Sequence, residues 1–95
     1  MRETAPTVSE LMKVLSNEHR LMILCQLVEG ERSVTELAKL LGMRQATLSQ
    51  HLALLRRNGI VGTRREAQSV YYSLARQDVR ALMGFLYQTY CSAAA

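Results

Sequence analysis

A mainly α chain with a small β-wing is the fold class this 95-residue sequence predicts, and three observations predict it. From Ser33 to Leu74 the order is a capped helix, a glycine turn, a second helix and two alternating strands, which is the order of a winged helix-turn-helix. Apolar residues recur at helical spacing both before and after that segment. Between Met43 and Arg65 stand five arginines (Arg44, Arg56, Arg57, Arg64, Arg65) and no acidic residue. Of 12 basic and 8 acidic residues, that leaves 7 and 8 outside the window, so the net positive charge belongs to the window. A surface that neutralises phosphates needs this distribution.

Ninety-five residues make one domain, spanning 1–95, and a helical core this small often completes itself by dimerising. There is no apolar run of about 18 residues and no charged-then-apolar leader, so neither a membrane span nor a secretory signal is expected, and a cytoplasmic protein is. In that compartment two cysteines point to reversible chemistry rather than a constitutive disulfide. Arginine outnumbers lysine ten to two, which suits bidentate contacts to phosphate and guanine but also fits a bias of genome composition.

Residues 1–6 read as a short mobile arm. Thr7 and Glu10 have capping-box spacing, and Val8, Leu11, Met12 and Leu15 form one stripe, giving a first helix over about 8–15. Ser16 or Asn17 can cap a second helix that runs to about Glu29 and stops at Gly30. Its stretch Leu21–Val28 is apolar nearly all round, as in a central buried helix.

The helix-turn-helix occupies 33–58. Ser33 and Glu36 form a capping box that opens a third helix through Leu41, and Gly42 supplies the turn. A fourth helix follows from about Arg44 to Asn58 and ends at Gly59. Leu48, Leu52 and Leu55 anchor it inward. Its opposite face carries Ala46, Gln50, Ala53 and Arg57, flanked by Thr47 and Ser49, with no Glu, Asp or Lys anywhere on the helix. Small and polar side chains with a basic end are what a face that reads a DNA groove requires. Gln45, Thr47, Ser49 and Gln50 are the candidates for groove contacts, since Gln pairs bidentately with adenine and Ser or Thr binds bases or phosphates. Arg44 and the helix-ending Arg56 and Arg57 are phosphate candidates, although positive charge there also suits the helix dipole. His51 lies on the border between the core and groove faces and is a candidate DNA contact as much as a structural residue.

The wing occupies 60–74, with strands Ile60–Arg65 and Ser69–Leu74 and Glu66, Ala67 and Gln68 linking them. Val70, Tyr72 and Leu74 alternate inward. Arg64 and Arg65 point to opposite faces, so one of them is expected to reach phosphate, and Gln68 at the tip is a minor-groove or backbone contact. A last helix covers 78–91. Val79, Leu82, Met83, Leu86 and Tyr90 form one stripe, and Phe85 and Tyr87 add apolar surface elsewhere. Two apolar sides on one helix imply a partner chain. The expected whole is five helices and a two-stranded hairpin, a homodimer through the first and fifth helices, with two reading helices about one DNA turn apart on a palindromic double-stranded operator.

With these residues in place, the chain resembles the ArsR/SmtB family of winged-helix repressors over nearly its whole length. The resemblance is carried by LSNEHRLMILCQL, SVTELAKLLGMRQATLSQHLALLRRNGIV and VYYSL. Leu24-Cys25 and Tyr90-Cys91 are similar to the cysteine contexts of its dithiol, BigR/SqrR/HlyU-like subgroup. The resemblance implies that Cys25 and Cys91, 66 residues apart, meet in space and sense reactive sulfur or oxygen species, lowering operator affinity when oxidised or persulfidated. From the residues alone, Cys25 is equally a small buried hydrophobe and Cys91 an incidental residue near the end of the chain. A direct disulfide needs Cα atoms within roughly 7 Å, and a longer separation favours a polysulfide bridge.

Departures from the family weigh against other uses. Ser33–Leu41 holds no cysteine, where metal-sensing relatives carry a cluster. The last helix holds no histidine, and Asp78 is its only carboxylate. Arg44 stands where relatives usually have a Ser cap. Two Cys and two His do not supply a four-ligand zinc site, and His19 reads as a polar residue at a helix start, so no metal and no cofactor are expected. Alternatives are a metal- or metalloid-responsive repressor on the same thiols, a redox-insensitive DNA-binding regulator, or a winged helix used for protein contact. An enzyme is not expected: a thiol oxidoreductase would want a CxxC motif, which is missing.

Overall fold

The computed structural model describes residues 2–91 as helices α1 (Ala5–Leu15), α2 (Glu18–Val28), α3 (Val34–Leu41), α4 (Gln45–Arg57) and α5 (Gln77–Leu86), with strands β1 (Arg32–Ser33), β2 (Val61–Glu66) and β3 (Ser69–Leu74). A π-helical turn, Tyr87–Cys91, continues α5. Five helices and an antiparallel wing hairpin make the winged helix-turn-helix that the sequence predicts. The core draws on nearly every element: Leu11 and Leu15, Ile23, Leu24 and Leu27, Leu37, then Leu48, Leu52 and Leu55, with Ile60, Val61, Leu74, Val79 and Met83 closing it. No polar or charged side chain is buried among the described residues.

Several boundaries differ from the sequence expectation. Helix α1 begins at Ala5, inside the expected arm, because Pro6 in its first turn presets a helical φ and removes one orphan N–H. Thr7 therefore lies within the helix, and Thr4 occupies the N-cap position with no side-chain capping bond to the helix, so the expected Thr7–Glu10 box does not form. At α2 the cap is Asn17, whose Oδ1 accepts from the Arg20 amide at 3.0 Å. The expected all-round burial of α2 is restricted to one side: Met22 is exposed and Cys25 only half-buried.

The Ser33 box forms as expected. Ser33 Oγ accepts from the Glu36 amide at 3.1 Å, and the Ser33 amide donates to Glu36 Oε1 at 2.9 Å. Gly42, at φ 64°, reverses the chain into α4, a conformation that favours glycine. Arg44 is the N-cap of α4 and makes no capping bond.

The sheet has a third strand that the sequence did not announce. Order is β1-β3-β2, with Arg32 opposite Tyr72 and Ser33 opposite Tyr71. In the hairpin Glu66 pairs with Ser69, so it belongs to β2 and the turn is only Ala67-Gln68. Ala67 takes φ 55° there, a left-handed conformation that a two-residue hairpin demands. On β3 only Leu74 is fully buried; Val70 and Tyr72 are half-covered. Expected as one helix to Cys91, the last segment changes winding after Leu86. Each i→i+5 bond takes up an extra residue per turn, so later side chains lag an α-helical register. Tyr90 consequently leaves the buried stripe and is 73% exposed.

Candidate functional site

Two features gather most of the residues singled out in the sequence. The first is the outer face of α4. With Leu48, Leu52 and Leu55 fully buried, helical spacing turns Gln45, Thr47, Ser49, Gln50, Ala53, Arg56 and Arg57 outward, and all are exposed. Ser49, Ala53, Arg56 and Arg57 line a cleft with Tyr72 of β3. Gln45 lines another with Ser33, Val34 and Thr35 at the start of α3 and with Gln68, Ser69 and Val70 at the wing tip. Both clefts join the outer face of α4 to the wing. Arg44, Arg56, Arg57 and Arg65 have no ion-pair partner among the described residues, so their charge faces outward uncompensated.

Arg64 is different. Its Nη2 and Nε donate to Glu31 at 2.6 and 3.2 Å, its Nη1 donates to Glu66 at 3.1 Å, and its guanidinium lies 4.9 Å from the Tyr71 ring centre. These carboxylates hold its proton more firmly than usual, and Arg64 in turn lowers the Glu31 carboxyl pKa. Arg65, on the other face of the strand, is the wing arginine left unpaired. His51 turns to α2, with its ring 5.6 Å from that of His19. Burial, then Arg20 and His19, lower its pKa, which keeps it neutral at pH 7.

The second feature is the thiol pair. Cys25 projects from the half-covered side of α2 and Cys91 from the π-turn, and their sulfurs stand 2.7 Å apart. Both are free cysteines. Burial, then the Cys91 sulfur, then the negative field of Glu29 push the Cys25 thiol up to about 12, so it is protonated at neutral pH. Tyr87 Oη donates to Glu29 Oε2 at 2.8 Å, and the other oxygen of Glu29 accepts from Arg32 of β1 at 3.2 Å. An apolar cavity of 380 Å³ opens beside the sulfurs, walled by Leu21, Met22, Cys25, Met83, Leu86, Tyr87, Tyr90 and Cys91. Glu29, Tyr87 and Met22 were not candidates in the sequence. A signal existed: Glu29 lies four residues after Cys25 and Tyr87 four before Cys91, one helical turn in each case. No group of three or more His, Cys, Asp or Glu able to hold a metal ion occurs among the described residues.

Comparison with known proteins fits this geometry. A family model described as "bacterial regulatory protein, arsR family" matches residues 17–63. The transcriptional activator HlyU of Vibrio cholerae is 46% identical over 93 residues, 98% of this chain and 86% of its own length. The biofilm growth-associated repressor of Xylella fastidiosa is 45% identical over 92 residues, covering 97% and 81%. The structure of reduced HlyU superposes with a TM-score of 0.91, covering 96% of both chains. A homodimeric winged helix-turn-helix DNA-binding domain of Mycobacterium bovis, titled a possible ArsR-family transcriptional regulator, gives 0.80 at 35% identity over 93% of this chain and 82% of that one.

Proposed function

Given that the chain belongs to the ArsR family of bacterial transcriptional regulators, we propose that it is a homodimeric operator-binding protein, acting in the cytoplasm, whose DNA affinity falls when Cys25 and Cys91 are oxidised. One observation carries the redox half: two free thiols 66 positions apart in sequence stand 2.7 Å apart. A bridge over so long a loop is worth about 4 kcal/mol in the chain-entropy model. Useful coupling between two sites needs only about 1–3 kcal/mol, so the bridge has enough energy to shift DNA binding. The short separation favours a direct disulfide over an inserted sulfur chain.

In this reading α4 enters the major groove with Gln45, Thr47, Ser49 and Gln50 toward base edges. Arg44, Arg56, Arg57 and Arg65 hold phosphates, and Gln68 meets the backbone or minor groove at the wing tip. Arg64 is withheld by Glu31 and Glu66, and His51 packs on α2 rather than reading bases. Exposed Met12 on α1 and Phe85 on α5 support a two-fold interface through those helices. The protein acts by occupying its operator, so repression is the output wherever that occupancy excludes polymerase.

Operator binding by reduced and oxidised protein, followed by fluorescence anisotropy, tests the proposal. Oxidation by peroxide or a persulfide donor should lower affinity at least about fivefold, the lower end of useful coupling. A mass change of about −2 Da should accompany it; multiples of about +32 Da would instead mark inserted sulfur. Cys25→Ser should bind DNA normally and lose the response. Unchanged affinity of the treated wild-type protein would remove the redox half and leave a DNA-binding regulator.

A further inference from the structure

Among the described residues, reactive side chains and an apolar recess open to solvent coincide beside the two thiols. Its 380 Å³ fall within the range of small-molecule sites, roughly 300–1,000 Å³. Its walls are aliphatic, thioether and aromatic, and the one phenol whose bond is described, Tyr87, has its hydroxyl committed to Glu29. No lysine, arginine or histidine lines it, so a carboxylate seated against these walls would lose part of its water and gain no counter-charge. Glu29, whose negative field already reaches Cys25, would repel it further.

Deepening the reading of this pair as a redox switch, we infer that the cavity selects the oxidant: neutral disulfides with apolar arms enter and react, and anionic disulfides are turned away. The chemistry is two thiol–disulfide exchanges. Cys91 gives up its proton and its thiolate attacks one sulfur of R–S–S–R, forming Cys91–S–S–R and expelling RS⁻, which takes up that proton. Cys25 then attacks the Cys91 sulfur, loses its own proton, and expels the second RS⁻ as RSH. Two protein thiols are oxidised to one disulfide, and one dialkyl disulfide is reduced to two thiols. The balance is the same with the two sulfurs exchanged.

The test compares dipropyl disulfide with its dicarboxylate counterpart, dithiodipropionate, on the reduced full chain. Loss of free thiol is timed, and each rate is divided by that of N-acetylcysteine amide with the same probe. The neutral probe should be favoured by about tenfold or more, reflecting exclusion of a charge from an apolar site. Tyr90→Lys, at a wall position that is 73% exposed, should narrow that ratio severalfold. Should this variant fail to fold by circular dichroism, Met22→Lys takes its place. Equal normalised rates in the wild type, or an unchanged ratio in a folded lysine variant, would overturn the inference. A protein that loses operator affinity with peroxide but does not discriminate between the disulfides keeps the switch and loses the selective cavity. One that prefers dipropyl disulfide yet binds its operator equally well after closure keeps the cavity and loses the switch.

Discussion

At Cys25, burial acts before the neighbouring sulfur does, raising the thiol from its ordinary 9.0 to about 12. The folded chain keeps this proton where the unfolded chain releases it. Between about pH 9 and 12 the unfolded state therefore binds fewer protons, and stability falls as pH rises; below that window the contribution is intact. Urea midpoints of the reduced protein should accordingly decline through that window, and Cys25→Ser should show a flatter profile. Ala67 presents a separate case. Its φ of 55° suits glycine better than alanine, so Ala67→Gly should raise stability by about 0.5–1 kcal/mol, measured by thermal unfolding. That strain was not legible in the sequence, because Glu66-Ala67-Gln68 contains none of the residues that mark a hairpin turn. Nor was the meeting of the thiols: pairing across 66 positions is set by the packing of α2 on α5, which no local pattern encodes. It entered only through resemblance.

Helix α4 packs by one face and, in the proposed reading, meets DNA by the other, and the separation is measurable. Leu52→Ala should cost about 2–5 kcal/mol and lower Tm and operator binding together, since Leu52 is fully buried. Gln50→Ala, on the exposed face, should leave stability within about 0.5 kcal/mol while weakening operator binding by about 1–3 kcal/mol in anisotropy titrations. This face was legible because a 3.6-residue period and three leucines determine it. The α3 box was legible for the same reason: Ser33 and Glu36 act within one turn. Three features at the element scale were not. Pro6 moved the start of α1 ahead of a plausible threonine cap, two residues of β1 are too short to show alternation, and the π-turn leaves no trace in apolar periodicity. That turn matters most, since it carries Cys91 to Cys25 and Tyr87 to Glu29.

For the whole molecule, Met12 at 45% and Phe85 at 65% exposure are the apolar surface that a two-fold partner would cover. Phe85→Glu should shift sedimentation toward monomer and weaken operator binding by at least about tenfold, because two half-sites would no longer be held by one rigid body. Leu86, half-buried on the same helix, would by contrast disturb the core as well. The basic window read from the sequence holds as a surface at this scale, with one subtraction, the Arg64 clamp.

Ser33 is both the cap of α3 and the last residue of β1, which pairs with β3, the returning strand of the wing. Helix α3 and the wing are thereby stapled at the root, and if α4, one glycine turn on from α3, and the wing both meet DNA as proposed, they would act as a two-pronged plug. A small tilt would then be expected to move both prongs together. Release from DNA should then be abrupt, so that a modest chemical insult trips the gene fully instead of dimming it by degrees.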